Sequence, residues 1–237
     1  GDSNAYNRLG TFLYRAGRYG EAAEQYQIVV ALNPDNMNGH SNLGTSFMLM
    51  GEFELAQRAF EKAIEIEPKK VSYGNLGLMH YYLGDFDAAI GSMEQAVELE
   101  PNDYLARSNL GDALWISGDH DGARRAYETA LTMASDVFAV NPNDPFTMMD
   151  LAWLHAMLGN SSEALELMGR ASALAPDDPY THYYDSLVRY RNGDTDGAIA
   201  ALGMAVNRGY PVALLAAEPH LESLRVHERF REIINAD

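Results

Sequence analysis

The chain has 237 residues, no cysteine, 34 acidic against 17 basic side chains, and a formal net charge of −17. Without cysteine there are no disulfides, no thiolate catalysis and no cysteine metal site, and so acidic a surface repels phosphate backbones, which argues against nucleic acid as a partner. It favours instead a protein or peptide partner of basic or neutral charge, whose encounter it accelerates. No apolar run reaches the roughly 20 residues of a membrane-spanning helix, and no signal-peptide pattern is present, so no direct membrane insertion is expected. Neither observation separates cytoplasm from periplasm.

Taken from the N-terminus, the first apolar run at helical spacing holds Tyr6, Leu9, Gly10 and Leu13 and stops at Gly17, a left-handed helix cap. A second helix passes through Tyr19, Ala22 and Tyr26 and closes at Asn33-Pro34, where proline blocks continuation. The same order then returns. Leu43-Gly44, Leu76-Gly77, Leu110-Gly111 and the softened Leu151-Ala152 each open a unit, with the caps Gly51, Gly84, Gly118 and Gly159. The second helices carry Phe60, Met93, Tyr127 and Met168 and close at Glu67-Pro68, Glu100-Pro101, Asn141-Pro142 and Ala175-Pro176. The leucines are spaced by 34, 33, 34 and 41 residues. A fixed period of this size means stacked helical hairpins, each contacting its neighbours. The small residues Gly10 with Ala22, and Gly77 with Ala89, are expected where the two helices of a hairpin cross.

These residues resemble the tetratricopeptide repeat (TPR), whose signature has the same Leu-Gly, aromatic, Ala, aromatic and Pro order. The resemblance implies an all-α fold, a right-handed superhelical solenoid of about six repeats. Their expected bounds are 3–36, 37–69, 70–103, 104–144, 145–178 and 179–211, with capping helices over 212–237. Val212 to Ala217 is expected as a short helix, and Glu218-Pro219 as the start of a final one carrying Leu221, Leu224, Phe230, Ile233 and Ile234. The long interval, the short link at Lys69-Lys70-Val71 and the ending Gly-Tyr-Pro to Arg-Phe together resemble the C-terminal repeat module of bacterial multidomain signalling proteins. In those, such stacks follow a winged-helix, nucleotide cyclase or Ser/Thr kinase domain. Gly1 in place of Met reads as an expression scar, and the chain as a piece of a longer protein.

Two irregularities stand out. The seven residues added between Leu110 and Leu151 lengthen a second helix by two turns, about 10 Å, and carry Val137 and Phe138 as a docking ledge or homodimer contact. In the sixth unit Asp185 replaces the leucine, with Arg189 four residues on, facing it across one turn. His155 holds the matching place one unit earlier, so His155, Asp185 and Arg189 are a candidate polar pocket for a small molecule.

No catalytic or cofactor constellation emerges. The histidines lack zinc-helix spacing. The Asp-x-Asp pairs at Asp85, Asp119 and Asp194 lack the terminal glutamate of a calcium loop and sit where Asp caps a helix. The expectation is a non-enzymatic, cofactor-free and metal-free binding scaffold. In the TPR fold the first helices line the concave face. Asn42, Asn75 and Asn109 directly precede the Leu-Gly phrase and can both donate to and accept from an extended peptide backbone. Tyr14, Tyr81 and Trp115 follow on the same helices, and Asp112 and Trp153 lie one residue after the glycine position, so the expected peptide groove is aromatic and partly acidic.

Overall fold

The computed structural model describes residues 2–235. Gly1, read above as a scar, and the last two positions of the capping segment, 236 and 237, lie outside the described residues. The repeating signature folds as helical hairpins, and no strand occurs among the described residues. The chain divides into two compact units, Gly1–Pro101 and Asn102–Asp237. In the first, three hairpins are formed by α1 (Ser3–Arg15) with α2 (Tyr19–Leu32), α3 (Met37–Met50) with α4 (Phe53–Ile66), and α5 (Lys70–Leu83) with α6 (Phe86–Leu99). In the second, α7 (Tyr104–Ser117) pairs with α8 (His120–Val140), α9 (Pro145–Met157) with α10 (Ser161–Leu174), and α11 (Pro179–Arg191) with α12 (Thr195–Asn207).

The turns inside the hairpins are set by backbone chemistry. Gly51 and Gly118 end α3 and α7 at φ +80° and +98°, a left-handed backbone that glycine adopts without strain. The second helices α6, α8 and α12 begin on aspartate caps: Asp85 accepts from the Ala88 amide at 3.2 Å, Asp119 from Gly122 at 2.8 Å and Asp194 from Gly197 at 3.0 Å. The first helices α1, α7, α9 and α11 use the same device. Asp144 accepts from both the backbone and the hydroxyl of Thr147, at 2.8 and 2.6 Å, with Pro145 in the first turn of α9. Asp144→Ala should therefore lose about 1–2 kcal/mol in urea unfolding, with Asp144→Ser recovering part of it.

The hairpin crossings differ in detail from the sequence expectation. Ala22 and Ala89 are fully buried, but it is the larger residue one turn later that covers each glycine. A Cβ on Gly10 would lie 2.8 Å from Tyr26 Cε1, and one on Gly77 would lie 2.7 Å from Met93 Cγ. The glycine is thus a socket for the aromatic or methionine of its own second helix. Tyr26, Phe60 and Met93 fill the first unit, and Tyr127, Met168 and Leu202 the second. Each such burial contributes about 1.5–3 kcal/mol.

The tail also departs from expectation. After α13 (Val212–Ala217) the chain forms a 3₁₀ helix, here η1 (Pro219–Val226), and then a separate α14 (Glu228–Ile234), instead of one final helix. His227, extended at φ −82° and ψ 127°, separates them. Leu221 and Leu224 explain the tighter winding: three apart, they lie on one line of a 3₁₀ helix, and both are buried. Phe230 of α14 is buried as well.

Candidate binding site on the first-helix face

In the first unit the expected groove residues lie on α1, α3 and α5. Asn42 is half-buried and donates to Asn7 Oδ1 at 3.3 Å, linking α3 to α1, and Asn75 is half-buried on α5. Tyr14 packs edge-on against Tyr19 with centroids 5.6 Å apart. Tyr81 is only 4 % exposed, its ring held by Tyr82 and Phe86, so it offers a partner little surface.

The second unit gathers more. Asp112 of α7 is the centre of a polar cluster. Its Oδ1 accepts from Tyr127 Oη at 2.8 Å and from Trp153 Nε1 at 3.0 Å, and His220 Nε2 of η1 stands 3.5 Å away. The His220 ring also meets the Trp153 ring edge-on at 4.9 Å. Burial pulls the His220 imidazole down, but the Asp112 carboxylate and Glu218 outweigh it, and its pKa lies above the ordinary value. Burial and the Asp112 charge hold the Tyr127 hydroxyl well above its usual range, so it stays a donor.

Beside this cluster lies a cavity of about 370 Å³ lined by Trp115, Trp153, Leu187, Tyr190, Arg191 and His220, with Ile116, Thr195 and Pro219 completing the wall. The Arg191 guanidinium lies 4.3 Å over the Trp115 ring, a cation–π contact. The Tyr190 and Ser223 hydroxyls are hydrogen-bonded, pinning η1 to α11. Trp153 is 5 % exposed. It serves as a wall oriented by Asp112, whereas half-buried Trp115 and exposed Arg191 remain accessible.

A second polar cluster surrounds Asp150 of α9. Tyr104 Oη donates to Oδ2 at 2.8 Å and Tyr184 Oη to Oδ1 at 3.1 Å. Burial raises the Asp150 carboxyl to about 6, despite the two hydroxyls that favour its charged form, with Asp144 adding to the rise. Asp150 and Tyr184 occupy the position of Asn109 in their own repeats, directly before Leu151 and Asp185. The row in this unit therefore reads Asn109, Asp150, Tyr184.

The expected His155, Asp185 and Arg189 pocket is only partly assembled. Arg189 bridges Asp185 at 2.8 Å and Asp194 at 2.9 Å. The recorded ring partner of His155 is instead the Asn160 amide, at 3.2 Å, and burial lowers its pKa. The cavity beside Trp115 and Arg191 is not lined by any of these three residues. The extension of α8 makes it 21 residues long against 14 for α10. Along it Val137 is 46 % and Val140 87 % exposed, while Phe138 is half-buried, with the Arg170 guanidinium 5.5 Å over its ring.

Arg191, His220 and Asp150 were not among the residues singled out from the sequence. Asp150 had a signal, since the phase of the Leu-Gly phrase places it in the asparagine row. Arg191 directly follows Tyr190 on the same helix. His220 carried none, because only the return of the tail brings it to Asp112.

Stacked helical hairpins with a pocketed first-helix face define a helical-repeat protein. Tetratricopeptide repeat models match residues 38–70, 75–137 and 114–183, and a TPR repeat model matches 10–51. The chain belongs to the tetratricopeptide repeat proteins. Its fold is similar to that in the crystal structure of the APC/C hetero-tetramer Cut9-Hcn1, with TM-score 0.64 and 17 % identity over 91 % of this chain. This chain spans 42 % of that one. Pseudomonas aeruginosa pilF gives TM-score 0.56 and 18 % identity over 95 % of this chain and 97 % of its own. MamA gives 0.53 and 21 % over 74 % and 92 %. These identities establish likeness of fold alone. No curated protein matches the sequence significantly.

Proposed function

We propose that the chain is a non-catalytic protein-binding scaffold that captures a segment of a partner protein on the first-helix face, with the Trp115–Arg191 pocket as anchor. It would serve as the regulatory or assembly arm of a larger bacterial protein. The observation carrying this reading is the convergence of Trp115, Trp153, Tyr190 and Arg191, from three first helices, on one cavity beside half-buried Asp112. Aromatic and arginine side chains around a pocket are the usual anchors of an interface. Asn109, in the same unit, supplies an amide for the partner's backbone, and Asn42 and Asn75 offer the same chemistry on the first unit by itself. The net charge of −17 favours a basic or neutral segment. Within the Cut9-Hcn1 hetero-tetramer a chain of similar fold is assembled with a second polypeptide.

The protein has two tryptophans, and both line this pocket. In a ¹⁵N-labelled sample their two indole signals therefore report on it directly. Peptides selected by display against the folded chain should shift both signals. The double variant Trp115→Ala, Arg191→Ala should bind them about tenfold or more weakly with unchanged helical circular dichroism. Selected peptides that bind while leaving both indoles unmoved would sink the proposal.

A further inference from the structure

The segment from Glu218 to Ser223 lies on the first-helix face of the second unit and is held there by side chains. Tyr183 Oη of α11 donates to Glu218 Oε2 at 2.7 Å, His220 Nε2 stands 3.5 Å from Asp112 Oδ1 of α7, and the Ser223 and Tyr190 hydroxyls are hydrogen-bonded. Pro219 and His220 thereby form one wall of the cavity beside Trp115 and Arg191. The backbone of this segment has little rigidity of its own. A 3₁₀ helix has poorer hydrogen-bond geometry than an α-helix and seldom runs beyond roughly three or four residues, whereas η1 runs for 8. Extended residues bound it at both ends, Glu218 at ψ 111° and His227 at ψ 127°, so it joins α13 and α14 through non-helical positions.

Charge decides whether this segment stays in place. Glu218 is only 5 % exposed, so docking carries a carboxylate onto a face that already holds Asp112. Burying two carboxylates near one another is costly unless cations and hydrogen-bond donors accompany them. His220 serves both: its backbone N–H donates to Glu218 Oε1 at 3.2 Å, and its imidazole faces Asp112. Burial disfavours the charged ring, Asp112 and Glu218 favour it, and Arg191 of α11 opposes it. Tyr127 of α8 faces Asp112 as a neutral donor, and α9 presents the uncharged Trp153 ring. With His220 charged, the two carboxylates have His220 and Arg191 as cations; with it neutral, they have Arg191 alone. Asp112 keeps its Tyr127 and Trp153 donors in either state. Loss of the proton therefore leaves α7 satisfied and loosens the tail.

We propose that Glu218–Ser223 is a proton-operated strap over the Trp115–Arg191 pocket: the His220 imidazolium latches it to Asp112, and loss of that proton releases it and opens the pocket on one side. The strap regulates the pocket named above as the partner's anchor and rests on that reading for its use, while the latch is a property of this chain alone. The folded-state proton affinity of His220 exceeds the ordinary one, so the latch holds below pH 6.5 and weakens as pH rises through the folded value.

The chain has no cysteine, so one introduced thiol is a unique reporter. Leu224→Cys places it at a fully buried position of η1, and Met168→Cys places a control in the buried core of α10. Maleimide labelling of each is followed in the full chain from about pH 6 to about pH 8.5 and divided by that of Val226→Cys, an exposed position, to remove the thiol's own titration. The Leu224→Cys ratio should rise about threefold or more across that range, with Met168→Cys labelling more slowly throughout. Adding His220→Gln should make Leu224→Cys label fast at both ends of the range, without a step. A flat Leu224→Cys ratio would overturn the proposal, as would a step that survives His220→Gln. Parallel rises at Leu224→Cys and Met168→Cys would mean that the whole unit opens, and would overturn it too. Leu221→Cys, also buried, repeats the measurement should Leu224→Cys disturb the fold. No partner enters the readout, so failure of peptide capture at the pocket and failure of the latch are separate results.

Discussion

Tyr127→Ala should cost the protein about 4 kcal/mol of stability, measured by urea unfolding of the whole chain. Tyr127 is fully buried, and a Cβ on Gly111 would come within 2.5 Å of its Cε1, so ring and glycine interlock without spare volume. Removing the ring leaves a cavity against a rigid helix pair, and backbone relaxation recovers little of it. The hydroxyl adds a separate loss, since Asp112 gives up one of the donors to its Oδ1. Tyr127→Phe isolates that part and should cost about 1–2 kcal/mol. The Phe variant should also shift the Trp153 indole signal, because Trp153 shares the same carboxylate oxygen. An alanine variant within 1 kcal/mol of the parent would contradict the interlocked packing.

The second large effect is a pH dependence centred on Asp150. Its folded-state pKa, about 6, exceeds the ordinary 3.8. Between those values the folded protein binds more protons than the unfolded chain, so stability falls as pH rises. The contribution is fully present below about pH 4 and lost above about pH 6, amounting to at most about 3 kcal/mol. Asp150→Asn keeps the shape and removes the titration. It should be the more stable protein at pH 7 and lose most of that advantage by pH 4. The difference between the two proteins is the quantity to follow, because other groups tilt the whole curve. His220, with its raised pKa, contributes stability that is present below pH 6.5 and lost as pH rises through its folded value. Glu21 and Asp194, with lowered values, contribute stability that is lost in acid. Parallel pH profiles for parent and Asp150→Asn would show that the carboxylate is not desolvated. Under the proposed function, a basic segment bound near Asp150 would bring its pKa down and release a proton.

Much of the fold was legible in the chain because its determinants are local. The Leu-Gly interval, the capping glycines and aspartates and the closing prolines each act within a few residues, and the helices begin and end where those residues stand. The tail was read less well. Its apolar positions fit an α-helix, but Leu221 and Leu224 are packed as a pair three apart, and the chain winds as a 3₁₀ helix to place them. Of the site, Trp115, Asp112 and Trp153 were visible at fixed offsets from the Leu-Gly phrase. Their roles were not. Trp153 looks like an exposed anchor on a helical wheel, yet Asp112 and His220 close around it.

The sequence by itself determined the period, the hairpin and the caps, since those follow from spacing and backbone chemistry inside one repeat, whereas the expectation that the first helices carry the binding residues came from the resemblance to the tetratricopeptide repeat. Only the tertiary structure decided that Arg191 lies over Trp115, that His220 returns to Asp112, and that Tyr104 and Tyr184 converge on Asp150. These pairings join residues of different repeats, or of the tail and the stack. Their distances depend on how helices pack across repeats and on where Leu221, Leu224 and Phe230 bury the tail, and no interval along the chain encodes that packing.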